Sequence, residues 1–417
     1  MAMPLDEPPP FRYRQPRIEG VEDVENYCPG GYHPVEIGEI IPSDDQAYQV
    51  IHKLGHGGFS TVWLVQTQQH EPSYFALKIL RADVVDVPEL RLLEYLRKVA
   101  GPGHPNLVAL HDSFKISGPN GEHQCLVFPF LGPSLRNSKT LATLSGSARH
   151  GICQQVASAV EFLHRNGICH GDLTASNVLF ELPHAQTLSP ACITQLLGPT
   201  ESERLRPPSS HAPRRVYQSP NFSGLDICSL TQVRIVDFGQ AFMADQPPTS
   251  LGIPLDFFPP ELCFGYLPST KSDIWHLACL IYQAHSDTIM FPTFFHMFEM
   301  LVGTVIDNLG PLPEHWKGRY DFAEYGYVEP GKPPSTVEPA WWFEPDHERS
   351  ARIDTRLARE APHLSPNQRQ EYVRLIHEMT AYEPEERLSA AEVMRRLRSD
   401  RFADKSENEG PEGIAHP

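Results

Sequence analysis

His170-Gly171-Asp172-Leu173-Thr174-Ala175-Ser176-Asn177-Val178-Leu179-Phe180 sets an acid and an amide in one loop, just ahead of a short apolar run. That pattern suits phosphoryl transfer. A loop aspartate can accept the proton of an attacking hydroxyl while an asparagine in the same loop turns to a divalent cation. Asp and Asn also close ordinary turns, so the stretch alone is equally compatible with a plain helix-to-strand connection. Upstream, Ile152, Val156, Val160 and Leu163 recur at helical spacing and Asn166-Gly167 ends the run, which predicts an amphipathic helix delivering the chain to His170.

Working outward, the chain has 417 residues with 40% hydrophobic content, enough for one large two-lobed domain or two ordinary ones. The formal charge of −17 argues against nucleic acid as the main ligand and leaves room for basic partners. Eight cysteines without a CxxC pair, and a start without an apolar core of signal-peptide length, predict reduced, intracellular residence, cytoplasmic and/or nuclear. The greasiest stretch, Phe291 to Ile306, is interrupted by His296 and Glu299 and is too short to span a bilayer.

Residues 1–26 are polar and Pro-rich at their start and are expected to form a flexible arm. From Tyr48 to Leu64 a β-branched, alternating pattern is broken by glycines: Leu54-Gly55-His56-Gly57-Gly58-Phe59-Ser60-Thr61-Val62. This predicts a strand, a Gly-rich turn and a strand, in which backbone amides can approach phosphate oxygens and Val62 can pack on a flat base. An ordinary glycine hairpin would look the same. Phe75-Ala76-Leu77-Lys78-Ile79-Leu80 follows, an apolar strand with one lysine. A buried lysine needs an anion, here phosphates and a glutamate from the next helix, which starts after Asp86-Val87-Pro88. Glu89 is chosen over Glu94 because Leu93, four residues on, is apolar whereas Lys98 is not. Its competing role is the acid of a capping box with Asp86.

Cys125-Leu126-Val127-Phe128-Pro129-Phe130-Leu131 ends a strand where the Pro129 carbonyl and the Leu131 amide could meet an adenine edge. From about 181 to 231 prolines abound and no period persists, which predicts an inserted spacer without a core. Order resumes at Val233-Arg234-Ile235-Val236-Asp237-Phe238-Gly239, a strand whose terminal aspartate can hold magnesium. Pro259-Pro260-Glu261, Ser272-Asp273-Ile274-Trp275 and Glu386-Arg387-Leu388-Ser389 come later, and Glu261, Asp273 and Arg387 are assigned to architecture.

Taken together and in this order, the segments resemble eukaryotic protein kinases, and more closely the SR-protein kinase family, which phosphorylates serines in Arg/Ser repeats. The lead-in Tyr27-Cys28-Pro29-Gly30-Gly31-Tyr32-His33-Pro34-Val35, the glycine loop, and Phe114-Lys115-Ile116-Ser117-Gly118-Pro119-Asn120-Gly121 running into Val127-Phe128 carry the closer match. The resemblance implies an α+β, bilobal protein-kinase fold with a β-rich N-lobe (27–131) and a mainly helical C-lobe (132–400) interrupted by the spacer. A disordered tail (401–417) would follow. It further implies ATP and Mg2+ as cofactors, an Arg/Ser-rich protein substrate, no direct nucleic-acid or membrane partner, and a monomer. Asp172 would be the base, Lys78 with Glu89 would align phosphates, and Asn177 and Asp237 would hold the metal. Residues 54–62, Lys78, Pro129 and Leu131 would contact the nucleotide.

Two departures stand out. Gly171 replaces the arginine that usually precedes the base, so activation-loop phosphorylation through that residue is not expected. Thr174 stands where most Ser/Thr kinases carry a lysine on the γ-phosphate, a loss of about 1.5–3 kcal/mol of charge-assisted bonding. The alternative reading is therefore a pseudokinase scaffold with little turnover.

Overall fold

The computed structural model describes residues 11–68, 73–101, 103–136, 138–183, 185–225, 230–294, 297–327 and 336–402. The chain divides into two compact units: Met1–Glu94 with Val108–Pro133 and Glu181–Leu230, and Tyr95–Leu107 with Ser134–Phe180 and Thr231–Pro417. The first is β-rich and the second mainly helical, the expected α+β architecture.

In the first unit, β1 (Ile40–Pro42), β2 (Ala47–Gly57), β3 (Ser60–Thr67), β4 (Tyr74–Leu80), β5 (Asp112–Gly118) and β6 (Gly121–Pro129) form an antiparallel sheet in the order β1-β2-β3-β4-β6-β5. Alternation decides which residues share a face, because successive side chains leave a strand on opposite sides. Val62 pairs with Lys78, Lys78 with Leu126, and Ala76 with Phe128, which puts these side chains on one face. The other face is the core: Tyr48, Val50, Trp63, Val65, Phe75, Leu77, Ile79, Cys125 and Val127 pack there with Val35 and Tyr217. Helix α1 (Pro88–Ala100) follows β4, and its residues through Glu94 belong to this unit.

Tyr217 comes from the Pro-rich insert, which the sequence predicts to be a coreless spacer. The structure corrects this. The insert folds onto the first unit as α4 (Pro190–Leu197) and the antiparallel pair β9 (Ser202–Arg204) and β10 (Arg215–Tyr217). Ser189 caps α4 by accepting from the Cys192 amide at 3.2 Å. Leu205, Ala212 and Val216 form a second cluster with Tyr13, Val24, Tyr27 and Tyr32. Residues 11–26 therefore pack as well, in place of the flexible arm that composition predicts; residues 1–10 lie outside the described residues. Prolines keep these elements short, so neither segment shows a period, and their apolar partners lie far away in sequence. Glu22, Lys53 and Tyr27 tie the arm to β2: the Lys53 ammonium and the Tyr27 hydroxyl both donate to Glu22, and all three are buried. Asn120 Nδ2 donates to the carbonyls of Tyr32 (2.6 Å) and His211 (2.7 Å), joining the lead-in segment to the insert.

The second unit is built on α2 (Ser138–Thr143), α3 (Gly146–Arg165), α5 (Thr270–Ser286), α6 (Phe298–Leu309), α7 (Phe322–Tyr325), α8 (Ile353–Glu360), α9 (Pro366–Met379) and α10 (Ala390–Leu397). The predicted apolar stripe Ile152, Val156, Val160 and Leu163 is the buried face of α3. Helix α5 is buried almost all round, including Trp275. Arg387 holds Glu261 by two bonds of 2.7 Å, and its Nε reaches the Ala381 carbonyl at 2.8 Å, so this buried charge pair is fully engaged. Removing one partner of such a pair costs about 3–5 kcal/mol. Two short ladders, β7 (Ile168–Cys169) with β12 (Phe242–Met243) and β8 (Val178–Phe180) with β11 (Val233–Ile235), position the loops between them. No described helix is long and apolar enough to cross a membrane.

Candidate active site

The loop after β7 is held at its backbone. Asp273, near the start of α5, accepts from the His170 amide at 2.7 Å and the Gly171 amide at 2.9 Å. Burial alone would raise its pKa, but His164 and His276 beside it hold it well below the usual carboxylate range. The sequence assigned Asp273 to architecture; in the structure that architecture orients the loop. His170 is buried, donates through Nε2 to the Val236 carbonyl at 3.2 Å and accepts at Nδ1 from the Asp172 amide at 3.3 Å. Those two partners define a neutral imidazole, and burial lowers its pKa accordingly.

Asp172 and Asn177 meet inside one turn. Asn177 Nδ2 donates to Asp172 Oδ2 and to the Asp172 carbonyl, each at 2.8 Å. Asp172 Oδ1 is buried and has no hydrogen-bond partner among the described residues. Burial pushes the Asp172 carboxyl up to about 6, with Asp237 and Asp273 adding to the rise and His276 and the Asn177 bond opposing it. A carboxylate poised there suits proton acceptance near neutral pH. Thr174, between them, is 3% exposed, and its amide donates to the Asp172 carbonyl at 3.0 Å.

Gly171 has φ +77°, and a Cβ there would stand 2.3 Å from the Gln240 carbonyl oxygen. Tertiary geometry thus excludes an arginine from this position, which nothing local in the sequence signals.

The β8–β11 ladder sets Asp237 beside Asn177, since the Val236 amide donates to the Asn177 carbonyl at 2.9 Å. Asp237 takes φ +64°, and its Oδ1 accepts from the Gly239 amide at 3.2 Å. Among the described residues no group of three or more His, Cys, Asp or Glu could hold a metal ion. An amide oxygen and one carboxylate fit Mg2+, which binds through one or two carboxylates together with phosphate oxygens.

In the first unit, Lys78 Nζ lies 2.6 Å from Glu89 Oε2, both buried. Glu89 is thus brought to the lysine, while Asp86 pairs with Arg91 at 2.7 Å. Leu54 to Val62 form the β2–β3 hairpin, with Gly57 opposite Ser60 and Phe59 63% exposed at its turn. A Cβ on Gly55, Gly57 or Gly58 would meet no protein atom within 4 Å, so packing does not require these glycines and the space over the loop stays open. His56 is exposed in the same hairpin, and the Thr61 hydroxyl accepts from Trp63 Nε1 at 3.0 Å. Pro129 ends β6 opposite Phe75, and Leu131 is buried just beyond it. Two residues that the sequence did not single out act on the loop: the Tyr32 hydroxyl donates to the Gly57 carbonyl at 2.7 Å, and Arg81 reaches the Gly58 carbonyl at 3.3 Å.

Residues 48–190 match the protein kinase domain family. A serine/threonine protein kinase of Aspergillus fumigatus is 27% identical over 378 residues, covering 88% of this chain and 86% of its own. A serine/threonine-protein kinase named SRPK, from Physarum polycephalum, is 29% identical over 289 residues, covering 65% of this chain and 67% of its own. Human SRSF protein kinase 3 is 36% identical over 171 residues, 39% of this chain and 30% of its own.

Proposed function

This chain is an SR-protein-kinase-like serine/threonine protein kinase, and we propose that it transfers the γ-phosphate of ATP to serine or threonine in Arg/Ser-rich protein segments. A role in regulating splicing factors follows from that substrate class. The observation that carries the catalytic part is the Asp172–Asn177 pair, a part-buried carboxylate with one oxygen held at 2.8 Å by the amide and the other, buried, without a hydrogen-bond partner among the described residues.

In this reading Asp172 accepts the proton of the substrate hydroxyl. Lys78, aligned by Glu89, neutralises the nucleotide's phosphates, and backbone amides of Leu54–Val62 cover them. The Pro129 carbonyl and the Leu131 amide orient the base. Asn177 and Asp237 hold Mg2+, which supplies charge neutralisation at the phosphate oxygens when bound. Asp273 keeps the loop amides of His170 and Gly171 in place, so that Asp172 needs no reorganisation during reaction. The excess of acid, −17 overall, supports a basic substrate. The similarity to proteins named for SRSF substrates supports the same class. The Lys78–Glu89 pair in the first unit and the Asp172–Asn177 pair in the second support the enzyme over the scaffold alternative, which rests on Thr174 and Gly171. Residence in the cytoplasm and/or nucleus is part of this proposal and agrees with the unpaired state of the described cysteines.

The test uses purified protein, labelled ATP, an Arg/Ser-repeat peptide and a neutral serine peptide. Incorporation selective for the repeat is expected. Equal incorporation would overturn the substrate class, and none into either would restore the scaffold reading.

A further inference from the structure

In a chain with 17 more acids than bases, several arginines gather where the N-terminal arm meets the insert. Arg12, Arg14, Arg204 and Arg206 line a cleft of about 790 Å³ together with Phe11 and Pro208. An adjoining cleft of about 390 Å³ shares Arg14, Arg204 and Arg206 and adds Arg17. The Arg14 amide donates to the Arg206 carbonyl at 2.7 Å, which sets the two strands of chain side by side.

The acids nearby bond to backbone amides rather than to these guanidinium groups, and one of them, Glu203, also lines the second cleft. Glu203 accepts from the Arg17 backbone amide at 2.7 Å. Glu25 accepts from the backbone amides of Arg12 (2.9 Å) and Tyr13 (3.1 Å). Among the described residues, the guanidinium groups of Arg14, Arg17, Arg204 and Arg206 have no carboxylate within ion-pair distance. Four like charges lining one cleft repel each other, and a dianion would relieve that repulsion while taking charge-assisted, forked hydrogen bonds.

We propose that the seam between arm and insert is a second binding site, for a phosphorylated protein segment. Three observations favour this occupant. The arginines lie in two clefts of one seam while the chain as a whole carries a net −17, which disfavours a long polyanion such as nucleic acid. The cleft wall also carries Phe11, 75% exposed, and Pro207–Pro208, apolar surface suited to a peptide beside its phosphate. A phosphoserine carries about −1.5 to −2 charge at pH 7, matched to two or more arginines. The site rests on the kinase reading only in that phosphoserine is what such an enzyme makes. It lets product, or an already phosphorylated region of substrate, hold the enzyme while Asp172 acts elsewhere.

The test is fluorescence anisotropy with the full chain, without ATP, so its outcome is independent of turnover. The probes are a labelled peptide lacking arginine and bearing two phosphoserines, its unphosphorylated form, and oligothymidylate of equal charge. The phosphopeptide should bind at least about tenfold more tightly than the other two, a difference of about 1.4 kcal/mol. Arg14→Glu with Arg206→Glu should remove that preference while melting temperature and turnover on a short unphosphorylated Arg/Ser peptide stay unchanged. Equal binding of the two peptides, equal binding of the oligonucleotide, or retention by the double variant would each overturn the proposal. If the double variant fails to fold, single Arg14→Gln and Arg206→Gln changes read the same preference.

Discussion

The Tyr32 hydroxyl donates to the Gly57 carbonyl at 2.7 Å, so the lead-in segment holds the tip of the glycine hairpin by a single side chain. Tyr32 is itself set by an edge-on contact with Tyr27, whose hydroxyl donates to buried Glu22. Tyr32→Phe removes one hydrogen bond, worth about 0.5–1.5 kcal/mol net, and leaves the ring's packing. The expected outcome is a KM for ATP raised about two- to tenfold, with kcat little changed and melting nearly as before. Unchanged KM would show that the hairpin keeps its position without this tie.

Asp172 predicts a pH dependence of stability. Its folded pKa is raised to about 6, chiefly by burial. In the unfolded chain an aspartate ionises near about 3.9, so as pH rises the unfolded state loses its proton first. Stability is therefore full below the unfolded value, falls between it and the folded value, and stays reduced above. Asp172→Asn carries no such cost. In metal-free protein with chelator, its melting advantage over the parent should grow through this window and then level off, while turnover is abolished. An advantage independent of pH would mean that Asp172 ionises normally.

Gly171→Ala tests the backbone that replaces the usual arginine. The substitution strains φ +77° and drives a Cβ to 2.3 Å from the Gln240 oxygen. A loss of about 1–3 kcal/mol in urea unfolding is expected, with reduced turnover, since Asp172 is the next residue. A neutral result would show that the loop shifts freely.

Thr174→Lys asks whether the missing cation can be restored. Thr174 is 3% exposed, and its amide and carbonyl bridge Asp172 and Asn177. Forcing a lysine there should lower kcat by at least about tenfold, the equivalent of about 1.4 kcal/mol. A rise in kcat at saturating nucleotide would mean that residue 174 opens onto the transferring phosphate.

The insert is expected to be indispensable to the first unit. Deleting Leu188–Phe222 removes Leu205, Val216 and Tyr217 from two buried clusters and should leave no soluble protein. The milder Tyr217→Ala should cost about 2–4 kcal/mol, because it empties a core site against Trp63. Full stability of either variant would show that the sheet face needs no cover.

What the sequence determined by itself was local. Asp172 and Asn177 lie five residues apart in one loop, which keeps the amide within reach of the carboxylate. Strand alternation places Val62, Lys78 and Leu126 on one face whatever covers the other, and the stripe of α3 is legible because helical period repeats within a single segment. Tertiary structure alone decided the rest. Tyr13, Val24, Val216 and Tyr217 carry no period, because each buries against a partner supplied by a distant segment, and proline-rich composition resembles a linker when only neighbours are considered. Asp273 holds the loop amide of His170 from 103 residues away. Gly171 is required by the Gln240 carbonyl, a contact made only once β7 and β12 pair. Hydrogen bonds and steric exclusions of this kind depend on which backbone atoms meet in space, and that is set by the packing of elements far apart in the chain.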